Sequence, residues 1–153
     1  LKAFAEANFT APILDSASGI WYDITALPTD TSYVYQFNSY GSLIMPTVAV
    51  KHKTNLLNGT QIGSSVEESA DNASSTYLLS SRSIAWQMAF FPKKIKYNNI
   101  DRNIGGLTKK GLKKGSKIRF VTPSPWAYDT KSSEKVPANS PLYSEIFIET
   151  ISN

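Results

Sequence analysis

Three runs in this chain alternate apolar and polar side chains with period two, and they constrain the fold to one built mainly of antiparallel strands. In Val48-Ala49-Val50-Lys51-His52-Lys53-Thr54, one face carries Val48, Val50 and His52, while the other carries Lys51 and Lys53 and must meet solvent. Lys117 to Thr122 alternates in the same way until Pro123 and Pro125 break it, and Leu142 to Ile151 reads as a long closing strand. Leu142, Ser144, Ile146 and Ile148 share one face of that strand, so the Ser144 hydroxyl must find a partner or line a cavity. After the first run, Asn58-Gly59 supplies a tight reversal. A polar loop from Ser64 to Ser75 then separates that hairpin from Tyr77-Leu78-Leu79.

Helical signals are few. Arg82 to Phe91 holds Ile84, Trp86, Met88 and Phe91 without Gly or Pro, which predicts a short, mostly buried helix ending before Pro92. Leu1 to Phe9 predicts a second short helix, Gly19 to Ile24 a strand, and Tyr33 to Phe37 a further strand.

The chain has 153 residues, enough for one domain with a substantial extension and a core that needs neither disulfide nor metal. It contains no cysteine, which excludes disulfides, thiolate catalysis and zinc sites of the Cys type. Its single histidine, His52, would have to serve any Ser-His-Asp triad, and no multi-histidine metal site can form. The net charge of +4 has a local origin: ten of the sixteen Lys and Arg residues lie between Lys93 and Arg119, against one acid, Asp101. Such a stretch reads either as a solvated loop or as a contact for an anionic surface. No nucleic-acid motif accompanies it, so no nucleic acid is expected as a partner.

Three segments in order resemble the FKBP family of peptidyl-prolyl cis-trans isomerases: Val48 through Thr60, then Ile84-Ala85-Trp86-Gln87-Met88-Ala89, then Gly115 through Ile151. Within the last, Pro123-Ser124-Pro125-Trp126-Ala127-Tyr128 is similar to the family's Pro-x-x-Tyr-Ala-Tyr-Gly. Val136-Pro137-Ala138-Asn139-Ser140-Pro141-Leu142 is similar to its Ile-Pro-Pro-x-x-x-Leu. The resemblance covers about two thirds of the chain and implies an α+β fold, an antiparallel half-barrel sheet wrapped around one short helix. It implies a domain over residues 46–153, with a basic insertion at about 93–114. Residues 1–45 form an N-terminal helix-strand extension packed on that domain. Ser18-Gly19-Ile20-Trp21-Tyr22 resembles a strand that precedes the domain in exported, Bacteroidetes-type members. By that resemblance the protein is periplasmic or an outer-membrane lipoprotein, touching a membrane only through a lipid anchor upstream of Leu1. Its partners are proline-containing segments of unfolded or exported proteins, and no cofactor or metal is implied.

Turning an X-Pro amide means crossing a barrier of roughly 18–20 kcal/mol, most of it lost resonance, and needs neither nucleophile nor base. A dry aromatic cup that prefers the twisted amide, with a donor near its carbonyl, is the required part. The resemblance places Trp86 at the floor of that cup and the Tyr128 hydroxyl near the ligand carbonyl, as the catalytic pair. Ile84, His52, Ile62, Val136 and Ser144 fall at substrate-binding positions. The pocket departs from the family pattern: Ile84-Ala85-Trp86 is one residue shorter than Ile-x-Gly-Trp, and Ile62-Gly63 stands where Phe-Asp is usual. His52 replaces a pocket Tyr, and Ser144 replaces a pocket Phe. The implied activity is prolyl isomerisation with weak turnover; the alternative is a non-catalytic member that holds peptides. If the helix bearing Trp86 did not lie across the concave face of the sheet, the chain would instead be an unrelated β-rich surface-binding domain.

Overall fold

The computed structural model describes residues 1–64 and 74–153, and the backbone alone at 63 and 64. In chain order its elements are α1 (Lys2–Asn8), β1 (Ile13–Asp15), β2 (Ile20–Ala26), β3 (Thr47–Leu56), β4 (Gln61–Ser64) and β5 (Ser75–Leu78). They continue with α2 (Ile84–Phe90), β6 (Lys94–Tyr97), β7 (Ile100–Asn103), β8 (Lys117–Thr122) and β9 (Leu142–Ser152). Most of the polar loop expected from Ser64 to Ser75 lies outside the described residues.

The main sheet is antiparallel, in the order β1-β2-β8-β9-β3-β4, with β5 pairing the first half of β3. Alternation sets its faces as anticipated. Val48, Val50 and His52 of β3 point inward, as do Leu142, Ser144, Ile146 and Ile148 of β9. Register carries the inward rows across strands: His52, Ile146, Ile118 and Ile24 lie side by side, and next to them Thr54, Ser144, Phe120 and Tyr22. Helix α2 lays Ala85, Trp86, Ala89 and Phe90 on this concave face, where they join Val48, Val50, Ile118, Phe120, Ile146 and Ile148 in one core. The reading of an unrelated β-rich domain therefore falls, and the α+β half-barrel around a short helix is the observed architecture. Gly59, at φ +91°, makes the expected reversal between β3 and β4.

The sheet does not stop at residue 45. Strand β2 is hydrogen-bonded to β8 along its length, and α1 lies against the opposite, convex face. There Ala5 and Phe9 pack on Val121, flanked by Phe4, Trp21 and Tyr143, with the Phe4 and Tyr143 ring centroids 5.5 Å apart. The link between α1 and the sheet is polar as well. Asp23, 3% exposed, accepts from Arg119 Nη2 at 2.8 Å and Nε at 3.1 Å, and from the Thr10 N–H at 3.0 Å. Burial pushes the Asp23 carboxyl up, but these donors outweigh it and hold it below its ordinary range.

Two expectations are corrected. Tyr33 to Phe37 is not a strand: only Phe37 makes a bridge, to Leu43. Its apolar character comes instead from rings turned into the core, with Tyr35 buried and its hydroxyl donating to the Leu112 carbonyl. Nor is the basic stretch a simple solvated loop. Its first part is the β6–β7 hairpin, turned by Asn98 and Asn99, both at positive φ. Ile95 is buried beneath the hairpin and Arg102 lies 4.4 Å over the Tyr97 ring, so the lysines Lys94 and Lys96 stand outward from a folded element. Lys113 donates to the Thr31 carbonyl at 2.9 Å, which leaves Lys109, Lys110 and Lys114 as the exposed lysines of the segment that follows.

Candidate functional site

Helix α2 begins where Ser83 Oγ accepts from the Trp86 N–H at 3.4 Å and ends as Phe91 turns extended before Pro92. That seven-residue helix fixes Trp86 at the centre of the concave face, 3% exposed. Its indole meets the His52 ring edge-on at 4.9 Å and Tyr77 at 6.0 Å, and lies nearly parallel to Phe90 at 6.4 Å. His52 Nε2 is 3.0 Å from the Tyr77 hydroxyl. Burial, followed by the nearby Arg82 charge, pushes the His52 pKa down to about 4, so the imidazole is neutral at pH 7.

Beside Trp86 the concave face opens into a cavity of about 390 Å³. Trp86, Phe120, Leu142 and Ile62 supply its apolar walls, and Tyr128, 45% exposed, stands at its rim. Tyr128 is presented by a short turn, Ser124–Trp126, that is tied to the N-terminal part of the chain because Trp126 Nε1 donates to the Ser18 carbonyl at 2.7 Å. Polar groups interrupt the apolar wall. Thr54 Oγ1 and Ser144 Oγ lie 3.3 Å apart across the β3–β9 pair, so the Ser144 hydroxyl both finds a partner and lines a cavity.

Five of the seven residues singled out from the sequence, Trp86, Tyr128, His52, Ile62 and Ser144, therefore line one cavity. The shortened helix motif does not remove Trp86 from the wall. Ile84 and Val136 do not line it. Ile84 is the first residue of α2 and faces outward, 52% exposed, because Ala85, Trp86, Ala89 and Phe90 take the inward face. Val136 is 2% exposed and closes a turn of its own, exchanging backbone hydrogen bonds with Ser133. The sequence reading missed Thr54 and Phe120, which the cross-strand register brings beside Ser144, and Arg82. The alternation of β8 carried a signal for Phe120; nothing local carried one for Arg82.

Arg82 is the one charged side chain among the described residues lining the cavity. Its guanidinium carbon lies 4.3 Å from the Tyr77 ring centroid and 4.3 Å from that of Trp86, within cation–π range of both. Among the described residues no carboxylate faces it from that wall, and at Gly63, paired with Thr54, the position usual for the family's aspartate has no side chain to offer one.

No family profile matches the sequence, and no curated protein matches it. Solved structures do. FkpA from Escherichia coli superposes with a TM-score of 0.65 at 19% identity over 99% of this chain and 57% of that one, so the chain spans little more than half of FkpA. A peptidyl-prolyl cis-trans isomerase from Pseudomonas syringae pv. tomato gives 0.62 at 17% identity, covering 99% of this chain and 90% of that one. AtFKBP13 gives 0.63 at 13% identity, covering 93% and 99%. With Trp86 on the central helix and Tyr128 at the cavity rim, this chain has the fold of the FKBP-type peptidyl-prolyl isomerases.

Proposed function

We propose that the protein is an FKBP-type peptidyl-prolyl cis-trans isomerase of weak turnover, acting on X-Pro bonds of unfolded or exported proteins outside the cytoplasm. The observation that carries this reading is the convergence of Trp86, Phe120 and Tyr128 on one cavity of the concave face. A proline ring seated against the indole leaves water, and the planar, strongly dipolar amide loses more by that transfer than the twisted one does. Tyr128, at the rim, is placed to donate its hydroxyl to the carbonyl of the residue before the proline. Each 1.36 kcal/mol of preference for the twisted amide yields about tenfold in rate. The neutral His52 imidazole edges the indole and supplies the third side of the cup, adding no charge of its own at neutral pH.

The test is a protease-free isomerisation assay on an Ala-Leu-Pro-Phe peptide. The reading predicts a rate above the uncatalysed one that drops in Trp86→Ala; equal rates with and without protein would sink it.

A second reading, a non-catalytic peptide-holding module, is favoured by one feature: the Thr54–Ser144 hydroxyl pair makes the cup more polar than amide twisting asks. On that reading the protein suppresses aggregation of an unfolded client without turnover, and neutralising Lys109, Lys110 and Lys114 weakens the effect. Unchanged aggregation in both cases would dispose of it. The exported location and the lipid anchor belong to the proposal. Among the described residues no helix is long and apolar enough to cross a membrane.

A further inference from the structure

We propose that Arg82 makes this cavity selective for prolines with an acidic neighbour, its guanidinium receiving the carboxylate of a Glu or Asp adjacent to the proline. The inference rests on the reading of the cavity as a proline site.

Five observations converge on Arg82. Its backbone is pinned at both ends, the N–H donating to the Leu79 carbonyl at 3.0 Å and the carbonyl accepting from Gln87 Nε2 at 3.1 Å. Its guanidinium carbon sits in the corner formed by two nearly perpendicular rings, 4.3 Å from each centroid, so the side chain is ordered before any ligand arrives. Its Nε is buried and donates to no acceptor among the described residues. No carboxylate lines the cavity among those residues, so the cation lacks a neutralising group in that wall. The neighbouring hydroxyls are already engaged: Ser81 Oγ donates to the Leu78 carbonyl at 2.7 Å, and Ser83 Oγ accepts from Trp86 N. A planar guanidinium can lie flat on only one of these perpendicular rings, so the N–H groups directed away from both remain for an acceptor, and a pair of such donors matches a carboxylate. Because Arg82 rides on the same indole that would seat the proline, only a residue next to that proline brings its side chain within reach.

The test uses acetylated and amidated peptides, so that side chains carry the only charge. Ala-Glu-Pro-Phe and Ala-Leu-Pro-Glu are each compared with their Glu→Gln counterparts by amide-shift titration of the whole chain at low salt. In at least one pair the Glu peptide binds about fivefold tighter, the advantage shrinking at high salt. Arg82→Gln erases it, and Arg82→Lys retains part of it. Equal affinity for Glu and Gln peptides in the unsubstituted protein overturns the proposal, with no variant needed. Discrimination that persists in Arg82→Gln overturns it too, by assigning the preference to the surface lysines. Isomerisation rates on the same four peptides separate the two questions: failure to turn over any of them removes the enzyme reading but not a carboxylate preference in binding.

Discussion

Removing both hydroxyls of the Thr54–Ser144 pair should leave the protein about as stable as before, although removing one should not. Ser144 is 3% exposed and its side-chain partner is Thr54 Oγ1, 3.3 Å away; Thr54 is only half buried and borders the cavity. Thr54→Val therefore strands the Ser144 hydroxyl without its partner, at a cost of about 1–3 kcal/mol. Ser144→Ala leaves the Thr54 hydroxyl able to turn toward cavity solvent, at about 0.5–1 kcal/mol. The double variant removes two polar groups from a largely apolar wall and strands neither, so its cost falls near zero. The resulting coupling is about 1 kcal/mol or more in a double-mutant cycle, measured by denaturant unfolding with unchanged slope. The same variant makes the cup drier, so a proline peptide binds it more tightly than it binds the parent. Costs that simply add would refute the reasoning, because they would mean that the two hydroxyls do not satisfy each other.

Trp86→Phe keeps a ring on the central helix but withdraws the part of the indole surface that extends beyond a phenyl ring; kcat/KM on an X-Pro peptide falls about tenfold, equivalent to about 1.4 kcal/mol, while the far-UV spectrum is unchanged. For His52 the folded-state pKa of about 4 lies below the unfolded value near 6.5, so the unfolded chain takes up the proton first. Its contribution, about 1–2 kcal/mol after screening by cavity solvent, is present above pH 6.5 and is lost as pH falls toward 4. His52→Gln flattens that limb of the stability profile in a pH series of unfolding curves. Gly106→Ala places a Cβ 1.8 Å from the Phe91 carbonyl oxygen, with no flexible side chain to yield, and costs about 3 kcal/mol or more by denaturant unfolding.

Period-two patterning was enough to orient β3, β8 and β9, because a buried face leaves a strand only one choice. Pro92 was enough to mark the end of α2, while its start, capped by Ser83, lies two residues later than expected. What patterning could not supply was register. Thr54, Ser144 and Phe120 are separated by tens of residues and meet only because β9 pairs with both β3 and β8. Arg82 is a stronger case, since its place over Tyr77 and Trp86 depends on β5 and α2 being brought together by the sheet. Tyr33 to Phe37 misled because core-facing aromatics in an irregular segment mimic a strand; hydroxyl groups that satisfy distant carbonyls do there what a ladder would otherwise do. In the basic stretch, charge obscured a legible hairpin: Lys-Ile-Lys-Tyr alternates, and Asn98-Asn99 is turn chemistry.

Strand β9 is covered on both sides, and this gives the molecule a safeguard against misalignment. Ser144 looks into the cavity, while its neighbour Tyr143 lies under α1 against Phe4 and Phe9. A slip of β9 by one position would push the tyrosine ring into the cavity and leave a serine beneath the α1 aromatics, so the error would be penalised twice. Helix α1, on the face of the sheet opposite the cavity, thus acts as a gauge for a strand that lines the cavity. Loosening it by Phe4→Ala should appear first as a second, slowly exchanging set of resonances along β9.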